Sequence, residues 1–252
     1  MNIDLQKKTI LITGSSGHIG SYLSLHLPEY LSKQYNIVLT DIYNKTSNKN
    51  FPFMKADISN VNSIKKVFEK YKVDIIIHLA ANCSKKTPWE DLLPNNIIGI
   101  YNIFEIASQF KCERVIFASS INAVNNYPEG YTIKTTDLPN PKSLYGATKV
   151  WGEAIAKLYS TEKNLSSICI RFGRVVDKED KRINSKNKGE EPFPASDRLI
   201  TYEDVAQLVT KCVLAPKSIK FFIAHGLSDN KKKRLDISKT KKILKYKPKY
   251  RF

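Results

Sequence analysis

Apolar residues along this chain fall into short blocks of two kinds. Residues 8–13, 36–41, 51–56, 74–79, 114–119 and 167–172 are brief, bounded runs dominated by apolar side chains, the pattern of strands covered on both faces. Between them, Val61, Ile64, Val67 and Phe68 share one helical face within 60–71. Further helices are predicted over 19–33, with Pro28 bending the first of them, over 89–110 and over 143–160. A helix over 202–214, a strand over 219–224 and a short helix over 238–244 in a basic tail complete the order. Residues 43–50 are an Asn-rich loop, and 177–197, dominated by Lys, Glu, Asn and Pro, read as a surface loop over the site.

Strands alternating with helices predict an α/β fold, a doubly wound parallel sheet covered on both sides. Residues 1–172 form the core in this reading. Residues 173–252 are a small substrate-binding portion and C-terminal tail, too short for an independent domain.

With 252 residues the chain can bury one large core. The strongest apolar stretch, 74–81, is far below the ~20 residues that span a bilayer, and mean hydropathy is −0.35. A strand starting within ten residues of Met1 leaves no room for a signal peptide, so a cytoplasmic location is expected. Cys83, Cys112, Cys169 and Cys212 have no metal-ligand spacing, which predicts buried, reduced thiols and no metal. Lys and Arg number 41 against 24 Asp and Glu, a net charge of +17, but they run along the whole chain. That spread argues against a nucleic-acid footprint, which needs a clustered basic face.

The chemistry lies in two places. Gly14, Gly17 and Gly20 stand between a predicted strand and a predicted helix, the context in which such spacing cradles a dinucleotide. The first glycine permits a tight turn, the second lets backbone approach a pyrophosphate, and the third lets the helix pack close to the sheet. Ser16, His18 and Ile19 lie in the same turn, where helix N–H groups face the phosphates. Asp41 ends the second strand 21 residues after Gly20, placed for ribose hydroxyls and repelling a ribose phosphate, so NAD is expected over NADP, with Lys45 nearby. Asp57 and Ile58 follow the third strand, on the adenine side.

The second place is Tyr145 and Lys149, one helical turn apart, with Ser120 at the end of the preceding strand. A free phenol has a pKa of ~10, so a base near neutrality needs ~3 units of depression, or ~4 kcal/mol. A unit charge at ~4 Å and an effective dielectric of 20 supplies about that, and an oxidised nicotinamide adds to it. Lys149 is therefore expected to bring Tyr145 down while Ser120 holds the reacting oxygen.

These residues resemble the extended short-chain dehydrogenase/reductase superfamily, in its NAD-dependent epimerase/dehydratase group. The resemblance extends to His78, Leu79, Ala80 and Ala81 beside the cofactor, and to Asn96, Gly99 and Asn102 in an N-x-x-G-x-x-N helix. It extends also to Arg198 through Asp204, and to Asp236 through Pro248 in the tail, which makes the tail a structural element. It implies a Rossmann fold, an NAD-dependent oxidoreductase acting on a sugar hydroxyl, Tyr145 as base, Lys149 on the nicotinamide ribose and Ser120 orienting substrate. It also implies Leu79, Ala80, Ala81 and Asn96 as cofactor residues, and a homodimer through the helices 89–110 and 143–160. Ser84, Ser120, Asn122, Arg174 and Arg198 are its substrate-side candidates.

Departures narrow the activity. Relatives acting on nucleotide sugars usually run past 300 residues, and this chain is too short for a full nucleotide lobe. Ile121, Asn122 and Ala123 follow Ser120 where dehydratases carry an acidic pair, and Arg174 stands where epimerases carry asparagine. Length and the segments at 117–120, 144–146, 171–173 and 225–230 look most like uronate dehydrogenases, which oxidise a free hexuronic acid to its lactone. Arg174 or Arg198 would then fork onto a substrate carboxylate. A nucleotide-sugar epimerase or reductase, and a non-catalytic dinucleotide-sensing or nucleic-acid-binding protein, are the alternatives.

Overall fold

The apolar runs form strands because each sends alternate residues to opposite faces, and both faces are covered. In the computed structural model, residues 4, 6–27, 29–45, 50–83, 87–180 and 196–252 are described. Strands β1 (Lys8–Thr13), β2 (Tyr35–Asp41), β3 (Phe53–Lys55), β4 (Val73–His78), β5 (Arg114–Ser120), β6 (Ser166–Phe172) and β9 (Phe221–Gly226) form one sheet in the order β3-β2-β1-β4-β5-β6-β9. Every pairing in it is parallel. A two-stranded ribbon, β7 (Arg174–Val176) with β8 (Leu199–Thr201), stands beside it.

Ile10 and Ile12 join one core cluster, with Leu23 of helix α1 (His18–His26) and Val205, Leu208 and Val209 of α7 (Tyr202–Val213). Leu11, between them in sequence, joins the opposite cluster. There it meets α3 (Val61–Tyr71), α5 (Gly99–Gln109) and α6 (Leu144–Glu162) through Phe68, Phe104 and Tyr159. The chain departs from β1 toward β2 and β3 on one side and toward β4, β5, β6 and β9 on the other. The carboxyl ends of β1 and β4 therefore bound the switch point where such sheets bind ligands.

Several expected boundaries differ, among them the third strand, which is Phe53–Lys55 and not 51–56. The single bent helix over 19–33 is two helices, α1 and α2 (Glu29–Gln34). Leu27 lies at φ −58°, ψ 135°, outside the helical region, because a residue preceding proline is pushed toward extended backbone. Pro28 itself lies outside the described residues, as do 46–49 of the loop after β2 and 181–195 of the long polar segment. The helix over 89–110 begins as α4 (Trp89–Leu92), passes through one π turn at Leu93–Ile98 and continues as α5. The last sheet strand starts two residues late, at Phe221, after a turn closed by Ile219 N on Pro216 O.

A basin of about 530 Å³ at the amino ends of the strands is lined by Lys8, Lys111, Arg114, Lys163, Lys217 and Lys220. Lys111 and Lys163 follow the ends of α5 and α6, and Arg114 donates to the carbonyls of Cys212, Val213, Ala215 and Pro216 at the end of α7. Cations there complement helix C-terminal carbonyls.

The segment after β9 is tied down by one buried carboxylate. Asp204, in the first turn of α7, is fully buried and accepts from Lys249 N at 2.7 Å, Tyr250 N at 3.3 Å and Ser228 Oγ at 2.6 Å. Asp204→Ala leaves these donors unsatisfied, and we expect a loss on the order of 3 kcal/mol. Urea unfolding should show it as a lower midpoint at an unchanged slope.

Candidate functional site

β1 hands the chain to Gly14 at φ +69°, a conformation that favours glycine. A Cβ there would stand 2.6 Å from the backbone N of Ala80, so the exits of β1 and β4 touch only because Gly14 has no side chain. At Gly20 a Cβ would meet the Gly14 carbonyl oxygen at 2.1 Å, which is how α1 lies close against the turn. Gly17 is the N-cap of α1, with no side-chain cap bond and no acid in the first turn, so the helix N–H groups face outward. Such an end favours an anion.

Asp41 closes this turn from the side. Its Oδ2 accepts from Ser16 N at 2.9 Å and its Oδ1 from Ile42 N at 2.7 Å. The Ser16 hydroxyl donates to Tyr43 O at 2.6 Å and accepts from Lys45 N at 3.1 Å. Together with Ile58 these residues line a cavity of about 260 Å³. Asp57 turns its carboxylate onto the amide and hydroxyl of Ser59 at 2.8 and 2.7 Å, so Ile58 and not Asp57 faces the cavity.

Gly14, Gly17, Leu79 and Ala81 line this cavity and a second, of about 400 Å³, that also holds His18, Ile19, Gly20, Ser120, Asn122, Tyr145, Lys149 and Arg174. The two run across the switch point, one at each side of the glycine turn. A glycine bend, outward helix N–H groups and a carboxylate at the end of β2 fit a dinucleotide.

Asn96 is fully buried and its amide is fully engaged: Oδ1 accepts from Asn82 N at 2.8 Å, and Nδ2 donates to Asn82 O at 2.9 Å and Thr148 Oγ1 at 3.1 Å. The expected cofactor contact is thus replaced by a positioning one, which locks the chain leaving β4 onto α6. Asn102 does the same for the chain after β3, donating to the carbonyls of Ile58 and Ser59 at 2.9 and 3.2 Å, and the held residues Asn82 and Ile58 both line the smaller cavity. Gly99 between them leaves room for Ile58, whose Cδ1 would lie 2.7 Å from a Cβ.

α6 starts on Ser143, whose hydroxyl accepts from Gly146 N at 3.1 Å. A Cβ on Gly146 would meet Asn122 O at 2.3 Å and one on Gly152 the Phe117 ring at 2.3 Å, so glycines set how near α6 approaches β5. Lys149 is 3% exposed and donates to Ala118 O at 2.8 Å. Its ammonium lies 5.1 Å from the Phe117 ring centroid and 5.5 Å from that of Tyr145. Burial lowers Lys149 to about 8, while Cys83 and Glu153 act to raise it.

Tyr145 departs from the sequence expectation. Burial pushes its phenol well up, Cys83 adds to that, and only a hydrogen bond with Ser120 acts in the other direction. Among the protein's own groups, Lys149 does not bring the phenol toward neutrality. The Ser120 hydroxyl accepts from Asn122 N and Nδ2, both at 3.1 Å, which orients its proton outward as a donor.

The remaining candidates separate. Arg174 lines the cavity of Tyr145. Arg198 does not: its guanidinium pairs with Glu129 and with Asp197 at 3.2 Å, while its carbonyl oxygen packs where a Gly173 Cβ would be, at 2.2 Å. Ser84 lies outside the described residues. Cys112, Cys169 and Cys212 are buried as expected, but Cys83 is exposed and lines the cavity, a placement that sequence reasoning missed. The signal was its position two residues after Ala81. Among the described residues no His, Cys, Asp and Glu group could hold a metal.

Comparison with known proteins agrees with this geometry. Residues 10–188 match the model of the NAD dependent epimerase/dehydratase family. An NAD-dependent glucose-6-phosphate dehydrogenase of Haloferax volcanii is 25% identical over 255 residues, 95% of this chain and 92% of that one. A uronate dehydrogenase of Pseudomonas syringae pv. tomato is 27% identical over 228 residues, 88% and 75% of the two chains. The crystal structure of a glucuronic acid dehydrogenase from Chromohalobacter salexigens superposes with a TM-score of 0.82 at 27% identity, covering 97% of this chain and 85% of that one.

Two buried histidines flank the site. The Nδ1 of His78 is 2.7 Å from Thr13 Oγ1, and His225 Nδ1 lies 3.0 Å from Asp236 O. Burial, with the Lys149 charge, pushes His78 down to about 3; burial, with Arg171, pushes His225 to about 4. Both stay neutral when folded, whereas the unfolded chain takes up their protons below about 6.5. The contribution of these two rings is therefore level above pH 6.5 and falls below it, approaching about 1.4 kcal/mol per pH unit for each ring. Urea titrations at pH 7, 6 and 5 should show this decline; a level profile would mean that both rings protonate without cost.

Proposed function

The chain belongs to the NAD-dependent epimerase/dehydratase family, and from that premise we propose that it oxidises the anomeric hydroxyl of a free, anionic sugar to the lactone, a hexuronic acid foremost. The observation that carries this reading is Arg174 in the same cavity as Tyr145, Ser120 and Lys149. A guanidinium there suits a carboxylate. Two of the relatives that match most of the chain support it, being named for glucose 6-phosphate and uronate, both anionic monosaccharides, while a third of equal coverage, named for L-arabinose, makes neutral aldoses the necessary comparison.

Bound NAD supplies the hydride acceptor and a positive charge beside the phenol. Tyr145 takes the proton of the anomeric hydroxyl as its hydrogen leaves the carbon as hydride. Ser120, its acceptor sites filled by Asn122, donates to the same oxygen and holds it at the phenol. Lys149 has three N–H groups and commits one to Ala118 O, leaving two for ribose hydroxyls. Because the protein's own groups raise the phenol, the depression that a base near neutrality needs would come from the positive charge of bound NAD. Asp41 disfavours a ribose phosphate, which accords with NAD.

We place the enzyme in the cytoplasm, where unpaired thiols such as Cys83 stay reduced. We also propose a homodimer. Leu144, Trp151 and Leu158 are exposed at seven-residue intervals on α6, and Ile98 and Tyr101 are exposed where the neighbouring helix begins. A second copy of the same face would cover such a stripe. Light scattering should give twice the chain mass, and Leu158→Glu the single chain mass; a wild-type monomer would refute the interface.

The enzymatic test is NADH appearance with glucuronate, galacturonate, glucose 6-phosphate and neutral aldoses. We expect activity with at least one acid and a loss of 10²-fold or more, on the order of general-base removal, in Tyr145→Phe. Arg174→Ala should raise KM for the acid about tenfold or more and leave neutral aldoses unchanged. A flat response to every sugar, with NAD tightly retained, would move the assignment to an epimerase.

A further inference from the structure

Beneath the reacting groups lies a charged cluster that this chemistry leaves unused. Tyr145, Lys149 and Glu153 recur at four-residue intervals on α6 and so share one face. Glu153 is 4% exposed, and Arg171 of β6, 1% exposed, holds it in both directions: Nε on Oε1 and Nη2 on Oε2, each at 2.8 Å. The Ser119 hydroxyl donates to Oε1 at 2.5 Å. Apolar residues of like volume stabilise a fold about as well as a buried ion pair, so stability alone does not account for this one.

Its position suggests what it does. Lys149 holds Ala118, Glu153 holds Ser119, and Ser120 is the next residue of β5. Lys149 is almost fully buried, and an isolated ammonium in such surroundings gives up its proton readily. We propose that Glu153, fixed by Arg171 and Ser119, is a positioning residue whose buried negative charge keeps Lys149 an ammonium in the working protein. The proposal rests on the dehydrogenase reading only for its consequence in catalysis; the charge effect stands on the cluster itself.

The groups facing Lys149 can be named. Glu153 and Tyr145 come from its own helix, His78 and Cys83 from β4 and the chain leaving it, and the Phe117 ring from β5. Arg171 of β6 reaches it through Glu153, and His18 and Arg174 line the same cavity. Glu153 is the one carboxylate among them. Burial is the main influence lowering Lys149, and Cys83 and then Glu153 oppose it; of these two only Glu153 is held in place by an ion pair. A charge one helical turn away should move a buried ammonium by about one pH unit, and the opposing charge of Arg171 makes the effect of the pair smaller than that of Glu153 alone.

The test reads Lys149 directly. In protein labelled at lysine Cε, the Lys149 resonance is assigned by its loss in Lys149→Met and followed against pH. The expected wild-type midpoint is about 8, falling by about one pH unit in Glu153→Gln. Should the single variant not fold, Glu153→Gln with Arg171→Gln removes both charges and should move the midpoint in the same direction by less. NADH affinity, followed by fluorescence, should lose its alkaline limb at the same shifted pH. An unchanged Lys149 midpoint in a folded variant overturns the proposal. A shifted midpoint in a protein that oxidises no sugar upholds it and counts against the dehydrogenase reading, so the two failures are distinguishable.

Discussion

Helix α6 lies against the end of β5 closely enough that a β-carbon at Gly152 would run into the Phe117 ring. That contact sets the distance between the helix bearing Tyr145 and Lys149 and the strand bearing Ser120. Along the same seam Lys149 reaches the Ala118 carbonyl, Glu153 the Ser119 hydroxyl, and Gly146 the turn after Ser120. Each is a short-range contact that one extra methyl group or one lost charge would disturb. Tyr145, Lys149 and Ser120 sit on rigid elements and not on loops, as the proposed proton transfer over hydrogen-bond distances requires.

The other half of the site is held by the same device. Gly14 lets β1 and β4 meet at the switch point, and Asn96 and Asn102, six residues apart, hold the chain leaving β4 and the chain leaving β3, which together wall the smaller cavity. The π turn containing Asn96 inserts an extra residue into the helix that continues as α5, as such turns often do near functional sites. In this arrangement the two asparagines of N-x-x-G-x-x-N hold neighbouring backbone that lines the smaller cavity.

At the substrate end, the ribbon of β7 and β8 carries one arginine into the cavity and one away from it. Arg174 opens β7 and lines the pocket, whereas Arg198 is engaged by Glu129 and Asp197. Gly173, just before Arg174, leaves room for the Arg198 carbonyl to pack against it, which brings the two strands of the ribbon together.

The sheet, the glycine turn and the spacing of Tyr145 and Lys149 were legible in the sequence because each rests on local rules: apolar runs for buried strands, glycine for a tight turn, four residues for one helical turn. Pro28 marked a break, and only its severity was misjudged, since the extended backbone falls on the residue before it. What the tertiary structure alone decided are the matters of approach. Asn96 and Asp57 point to backbone and not to ligand, Cys83 faces the cavity while its three counterparts are buried, and Glu153 meets Arg171 across 18 residues. The Tyr145 phenol is raised and not lowered, because burial depends on every element packed around it. A one-dimensional pattern carries spacing; desolvation and the choice of hydrogen-bond partner are set only when distant segments close on one another.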